Sequence, residues 1–590
     1  MQISGAELFV KALKEEKVDT IFAYPGGQAI DLFNALYGSE GIQVILPRHE
    51  QGLIHAADGY SRSTGKAGVC LVTSGPGATN LITGIATANY DSVPLVCFTG
   101  QVPTHLIGND AFQEVDIVGI TRSISKYAVT VRKRDELAAI IKKAFYIARS
   151  GKPGVVVVDL PKDIQQELGC DIYPKQIEIR SYKPNTAVHT GQVKKALECL
   201  ENSRRPVFLL GGGVNLAHAG TEMTKLAEKT GIPVVTTIMG KGAVPTNHPL
   251  YIGNLGIHGS YAANTAISEC DVLFSIGVRF NDRITGKVRE FAKKAAIIHV
   301  DIDPASISRN IEVKIPIVAD AKNAILDFLD KAVPLEIAVW KQQINSWKQR
   351  HPLGIEQKGE KGVTPLAIIN EINNIFTDAV ITTDVGQNQL WATQFLELTE
   401  SKQMLTSGGL GTMGYGFPAA IGAKLGNPDK DVITICGDGG IQMNIQELAT
   451  AMVYELPIII CIMNNGYLGN VRQWQEMFFQ KRYSSTCMRY RKSCSITCNS
   501  PSECCPEYIP DFISLAKSYG ANGIRVQEKE EIITALLEAK KNTKLPTLIE
   551  FIIQREENVL PIVPPGNSLK DMMMGGEKTD DEKTMDQPFS

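Results

Sequence analysis

The chain has 590 residues, 44% hydrophobic and 21% charged. That is an ordinary globular composition, and at roughly 100–200 residues per domain it allows about three or four cores while excluding collagen, coiled coil and a disordered chain. Sixty Lys and Arg oppose 63 Asp and Glu, a net charge of −3, so no basic field favours a nucleic-acid backbone or an anionic membrane, and the expected partners are small molecules or proteins.

The first twenty residues, MQISGAELFVKALKEEKVDT, mix charge with helix-spaced apolar positions and carry no secretory pattern. The longest strongly apolar stretch, Leu456 to Met463, is far shorter than the ~20 residues of a membrane span and suits a buried strand. A soluble, cytoplasmic protein is expected. Cys70, Cys97, Cys170, Cys199, Cys270, Cys436 and Cys461 are scattered, several in apolar runs, where cysteine behaves as a small hydrophobe; no disulfide framework is implied.

In chain order, AGVCLVTS, PLVCFTG, GVVVVDL, PVFLLGGG, DVLFSIGV, AIIHVDID, DVITICGDGG and PIIICIMNN alternate with helical stretches. Fully apolar strands separated by helices predict parallel sheets covered on both faces, the α/β class. Polar, strand-poor segments near residues 170–190 and 335–364 read as connections, which leaves three α/β domains.

The most informative stretch begins at Asp431. A strand to Cys436 ends in Gly437-Asp438-Gly439-Gly440, a helix is expected from about Ile441 to Tyr454, and a second strand, Pro457 to Met463, ends in Asn464-Asn465-Gly466. A right-handed crossover makes these strands parallel and brings Asp438 and Asn465 to carboxyl strand ends, where open sheets bind ligands. Two hard oxygen ligands suit Mg²⁺, and glycines at a helix amino end suit phosphates, so this is a diphosphate site. The bland alternative is a capping aspartate beside an unrelated Asn-Gly turn.

GDG followed by NN at this spacing resembles the thiamine-diphosphate motif. By that resemblance the cation is held by Asp438, Asn465 and the backbone carbonyl of Tyr467. Such an enzyme also needs a carboxylate against the aminopyrimidine ring, because the cofactor's carbanion does the hard chemistry. Glu50 follows the strand Gln43 to Leu46 and opens a helix, so it is the candidate; alone it would read as a solvated first-turn glutamate. Thr73 to Asn80 (TSGPGATN) looks like a phosphate loop, but with the diphosphate already placed its glycines are taken to permit close packing, with no catalytic role.

Over nearly its whole length the chain resembles the acetohydroxyacid (acetolactate) synthase large catalytic subunits. The motifs are YPGG (Tyr24 to Gly27), RHEQGLIHAADGYSR, SGPGATN, DAFQEVD (Asp110 to Asp116), DLPKDI (Asp159 to Ile164), GVRFNDRITG (Gly277 to Gly286), SGGLGTMGYGFPAAIGA and VRQWQ. The resemblance implies three doubly wound parallel-sheet domains: pyrimidine-binding over 1–170, FAD-binding over 190–335 and diphosphate-binding over 365–560. It implies a homodimer or higher homo-oligomer with the active site between subunits, and a separate regulatory small subunit. Thiamine is held by Gly386, Gln387, Asn388, Gly411, Met413, Gly437, Gly439 and Gly440, with Met413 as the wedge beneath the bent cofactor. Gly27, Phe112, Gln113 and Lys162 lie near the reacting carbonyl, and Arg283 and Trp474 choose the second substrate. An arginine can hold a keto-acid carboxylate bidentately and an indole can bound its alkyl group. Pyruvate would lose CO₂ on thiamine diphosphate, and the hydroxyethyl carbanion would attack a second pyruvate or 2-ketobutyrate.

The central segment ends several strands in glycine or acidic residues but has no GxGxxG, so by itself it predicts only a nucleotide domain. The resemblance implies FAD, doing no net redox work, on Arg180, Gly212, Gly213, Thr237, Met239, His258, Gly259, Arg279, Asp282, Asp301 and Asp320. Two other functions stay open: a flavin-dependent pyruvate oxidase, and a metal- or redox-sensing protein on an inactive synthase fold.

The sequence departs from the family at three places. Asn388 stands where a histidine is common near the diphosphate; an amide can still donate there, so weaker or retuned cofactor binding is expected. Asn470 stands where a methionine is usual close to the substrate. Residues 481–508 form a basic, cysteine-rich insertion with Cys487, Cys494, Cys498, Cys504 and Cys505, readable as reduced thiols, a Zn or iron–sulfur site, or a redox disulfide. The polar tail 571–590 is expected to be disordered.

Overall fold

The computed structural model describes residues 2–354, 362–492, 494–495 and 510–575. The apolar runs become strands buried on both faces, a pattern that requires helices above and below a parallel sheet. A small ribbon pairs β1 (Gln2–Ser4) antiparallel with β8 (Leu168–Cys170). Three six-stranded sheets, parallel throughout, make up the rest.

The first holds β2 (Thr20–Ala23), β3 (Gln43–Ile45), β4 (Gly68–Val72), β5 (Leu95–Gln101), β6 (Tyr127–Thr130) and β7 (Val155–Pro161), in the order β3-β2-β4-β5-β7-β6. The second holds β9 (Pro206–Leu210), β10 (Val234–Thr236), β11 (Tyr251–Asn254), β12 (Val272–Ile276), β13 (Ala296–Asp301) and β14 (Ile315–Val318), in the order β11-β10-β9-β12-β13-β14. The third holds β15 (Val380–Thr383), β16 (Met404–Thr406), β17 (Val432–Gly437), β18 (Ile458–Asn464), β19 (Asn522–Val526) and β20 (Thr547–Ile552), in the order β16-β15-β17-β18-β20-β19.

The first and third sheets share one topology, and the second has the strand order of dinucleotide-binding sheets. In each, the order reverses between two neighbouring strands: β2 and β4, β9 and β12, β15 and β17. Ligands of open α/β sheets bind beyond the carboxyl ends of such a pair.

Helix Glu50–Thr64 crosses helix Gly416–Gly426 with backbones in contact. Only glycine fits at the crossing, since a β-carbon at Gly59 would stand 2.1 Å from the Ala419 carbonyl oxygen and one at Gly422 1.8 Å from that of Ala56. One apolar core runs continuously beneath the first and third sheets, from Phe22 and Leu53 to Phe417 and Ile460. The second sheet has its own core. Helix Ala338–Arg350, which sequence reads as connection, packs on that core through Trp340, whose indole N–H donates to the Pro206 carbonyl at 3.1 Å. Met573 and Ile562 exchange main-chain hydrogen bonds of 2.8 and 3.0 Å; the tail 576–590 lies outside the described residues. Among the described residues no helix is long and apolar enough to cross a membrane.

The helix expected from Ile441 to Tyr454 is broken into a short helix at Asp438–Ile441, a 3₁₀ turn at Ile445–Glu447 and a helix at Leu448–Val453. The break turns the fully buried Glu447 toward the first sheet, where its carboxylate pairs with main-chain N–H groups of Arg48 and His49.

Candidate active site

Between the carboxyl ends of β15 and β17 lies a cavity of about 200 Å³. Gly386, Gln387, Asn388, Gly411, Met413, Gly437, Asp438, Gly439, Gly440, Asn465 and Tyr467 all line it. Asp438, the first residue of its short helix, is 4% exposed, and burial pushes its carboxyl up to about 7. A carboxylate so desolvated gains from a cation beside it. The Asn465 amide is fixed at both ends: Nδ2 donates to Gln387 Oε1 at 3.2 Å, and Oδ1 accepts the Tyr467 N–H at 3.0 Å. One lone pair of that oxygen stays free. Carboxylate, amide oxygen and backbone carbonyl are the hard donors Mg²⁺ takes. No cluster of three His, Cys, Asp or Glu competes for a metal among the described residues.

The glycines make the cradle. A β-carbon at Gly440 would stand 2.5 Å from Asp384 Oδ1, whereas at Gly411 and Gly437 the nearest atoms lie 3.9 and 3.6 Å away, so a side chain there would fill the cavity itself. Asp384, immediately after β15, accepts the N–H groups of Val385, Gly414 and Gly416 at 2.8–3.1 Å and thereby fixes the loop that carries Gly411 and Met413. Sequence reading passed over Asp384, although an acidic residue ending an apolar strand was a usable signal. Asn388 corrects an expectation. Its Nδ2 donates to the carbonyls of Asp384 (2.9 Å) and Ile435 (3.0 Å), so both its N–H bonds are committed to the main chain and neither replaces a histidine's donation to a ligand.

Glu50, Gly27, Phe112, Gln113 and Lys162 lie on helices and loops of the domain built on the first sheet, and none lines the Asp438 cavity. Glu50 opens helix Glu50–Thr64, with its Oε2 held by Asn80 Nδ2 at 2.9 Å. Asn80 ends the loop to which sequence reading gave no role; its contact is the signal's missing half. Lys162 Nζ donates to the Gly27 carbonyl at 3.0 Å. Gln113, at φ +60°, crosses Gly75, where a β-carbon would stand 2.8 Å from the Gln113 carbonyl oxygen. Phe112 is 85% exposed.

Arg283 of the short helix Asp282–Thr285 and Trp474 of helix Gly469–Phe478 do meet, the guanidinium 5.9 Å from the indole centre. Arg283 also pairs with Asp282 at 3.2 Å. The Trp474 Nε1 and the Asn470 Oδ1 are buried without a partner among the described residues, and Asn470 lines the Asp438 cavity.

A second cavity, about 440 Å³, opens beyond β9 and β12. Gly212, Gly213, Thr237, Met239, Arg279, Asp301 and Asp320 line it; Arg180, His258, Gly259 and Asp282 do not. Arg180 and Asp282 are exposed, and His258 instead meets the Pro561 carbonyl at 3.2 Å. Gly211 and Gly213 touch Gly277 backbone to backbone, which brings the ends of β9 and β12 together. Asp301, at the end of β13, is pushed up to about 6 by burial and suits a ribose hydroxyl. The Asn215 amide oxygen, on a residue lining this cavity, is buried without a partner among the described residues. These residues fit a dinucleotide.

Such a pair of like sheets flanking a dinucleotide-type sheet defines a class. Residues 3–120 match the thiamine pyrophosphate enzyme N-terminal TPP binding domain, 193–329 the central domain and 384–551 the C-terminal TPP binding domain. The chain is 46% identical over 584 residues to a probable acetolactate synthase large subunit of Methanocaldococcus jannaschii, covering 97% of this chain and 95% of the relative. It is 42% identical to the acetolactate synthase isozyme 3 large subunit of Escherichia coli and 41% identical to the acetolactate synthase large subunit of Haemophilus influenzae, covering 97% of this chain and 98% of the relative each time. The chain therefore belongs to the acetolactate synthase large-subunit family of thiamine-pyrophosphate-dependent enzymes.

Proposed function

We propose that the third-sheet cavity holds thiamine diphosphate with Mg²⁺ on Asp438, Asn465 and the Tyr467 carbonyl, and that the second-sheet cavity holds FAD. The reaction joins pyruvate, with loss of CO₂, to a second pyruvate or to 2-ketobutyrate, giving 2-acetolactate or 2-aceto-2-hydroxybutyrate for branched-chain amino acids. The convergence of Asp438 and Asn465 on one glycine-lined cavity carries this reading. Thiamine diphosphate, when bound, supplies the nucleophilic carbon on which a 2-keto acid is decarboxylated and passed on.

The chain's own residues orient and exchange protons around it. Glu50, with one oxygen held by Asn80, keeps the other for proton exchange with the aminopyrimidine. Arg283 takes the acceptor's carboxylate and Trp474 limits its alkyl group. Lys162 steadies the Gly27 turn. Glu50 and its neighbours do not line the Asp438 cavity of their own chain, and the working site is accordingly proposed to join Glu50 of one subunit to Asp438 of another. The relatives are named large subunits; a regulatory small subunit is accordingly proposed.

Mixing two inactive variants tests this assembly. Glu50→Gln and Asp438→Ala, exchanged at random into dimers, recover about a quarter of wild-type activity if each site draws on two subunits. No recovery, with mixed dimers demonstrated, contradicts the shared site.

A further inference from the structure

Two guanidinium groups converge beside the Asp438 cavity. Arg555 donates from Nε to the Asn465 carbonyl at 3.1 Å and lies 4.5 Å over the Tyr467 ring. Arg489 arrives from the opening of the cysteine-bearing insertion, which is tied to the cavity's own strand end. The Leu468 N–H donates to the Thr486 carbonyl and the Met488 N–H to the Gly466 carbonyl, each at 2.9 Å, and Tyr467 and Cys487 form an antiparallel bridge. This pairing lays the Arg489 side chain across Gly466, where a β-carbon would stand 2.6 Å from Nε and 3.0 Å from Cδ. Beside it the Met488 sulfur stands 3.2 Å from where Gly439 would carry a β-carbon.

The charges here are unbalanced in a way that points to an anion. Among the described residues Asp438 is the only charged side chain lining the cavity, and no cation lines it. The donors of Asn388 are already spent on backbone carbonyls. Arg489 is half-buried, and desolvation and the repulsion of Arg555 disfavour its charge more than Asp438, Cys487 and Glu550 favour it. A diphosphate brings several negative charges, more than one divalent cation beside one carboxylate can offset, and a guanidinium meets phosphate oxygens bidentately.

We propose that Arg489 is a diphosphate-binding residue, its guanidinium closing the cradle over Gly466 so that the insertion's first residues help retain the cofactor. This rests on the thiamine-diphosphate assignment above.

The test is calorimetric titration of thiamine diphosphate in the presence of Mg²⁺ into wild type, Arg489→Gln and Arg489→Lys, with thiamine as the phosphate-free probe. Arg489→Gln is expected to weaken thiamine diphosphate about ten- to a hundredfold, Arg489→Lys to recover part of that, and thiamine affinity to stay unchanged. Wild-type binding matched within twofold by Arg489→Gln overturns the proposal and leaves the cofactor assignment standing. Equal weakening of both ligands overturns it too, by reducing Arg489 to a structural role. Failure of the wild type to bind thiamine diphosphate at all overturns both assignments.

Discussion

Glu447 Oε1 accepts the His49 N–H at 3.0 Å, across a separation of 398 residues. The same carboxylate takes the Arg48 N–H at 3.0–3.1 Å and the Thr450 hydroxyl at 2.6 Å, and it is fully buried. A side chain of the third sheet thus holds the turn from which Glu50 enters its helix. Glu447→Gln turns an amide N–H₂ toward main-chain donors, and a loss of ~2–4 kcal/mol is expected, because buried groups are left unpaired. Denaturant unfolding measures it; an unchanged midpoint would show that the contact carries no stability.

Asn80 holds one oxygen of Glu50 at 2.9 Å. Glu50→Gln should lower kcat by about 10²–10³-fold, the usual worth of a positioned proton-transfer group, with thiamine diphosphate still bound. Asn80→Ala should cost about tenfold by letting the carboxylate turn away. Paired measurements of kcat and cofactor affinity separate the two effects from loss of binding.

Asp159 accepts from Thr99 (2.8 Å), Gln101 (3.2 Å) and Thr130 (3.1 Å), yet burial prevails and raises its carboxyl to about 7. The folded chain then holds this proton more tightly than the unfolded chain. Its contribution is fully present below pH ~4 and is lost as pH rises to ~7, with a span of about 4 kcal/mol at ~1.4 kcal/mol per unit. Asp159→Asn fixes the neutral form, so the difference in melting temperature between variant and wild type should grow in the variant's favour from pH 4 to 7. A constant difference would refute the assignment.

How much of this was legible in the sequence depends on the range of the contact. The buried parallel strands announced themselves, because a run such as Val155–Val158 can only sit between two helical layers. Glycines followed by Asp438 and Asn465 at consecutive strand ends marked the cavity for the same local reason. Glu447 left no trace, since its partners come from the far end of the chain and a buried glutamate looks like a surface one in sequence. The broken helix after Asp438 follows from that contact and was equally invisible. Arg180 and Asp282, assigned by resemblance alone, are exposed in this chain.

The Arg283 guanidinium lies 5.9 Å from the Trp474 indole centre, and the Asn470 amide oxygen, unpartnered among the described residues, belongs to the neighbouring cavity wall. Trp474→Leu should change the ratio of 2-ketobutyrate to pyruvate use by about tenfold, since one alkyl step in an apolar pocket is worth ~1–3 kcal/mol. Asn470→Met should move the same ratio by a smaller factor. Competition between the two acceptors gives the ratio directly; no change in either variant would remove both residues from acceptor choice.

Incubating the protein with pyruvate, thiamine diphosphate, Mg²⁺ and FAD, with and without oxygen, and identifying the product separates a carboligase from an oxidase. Acetolactate is expected at the same rate in both conditions. Hydrogen peroxide or acetyl phosphate formed only with oxygen would contradict it.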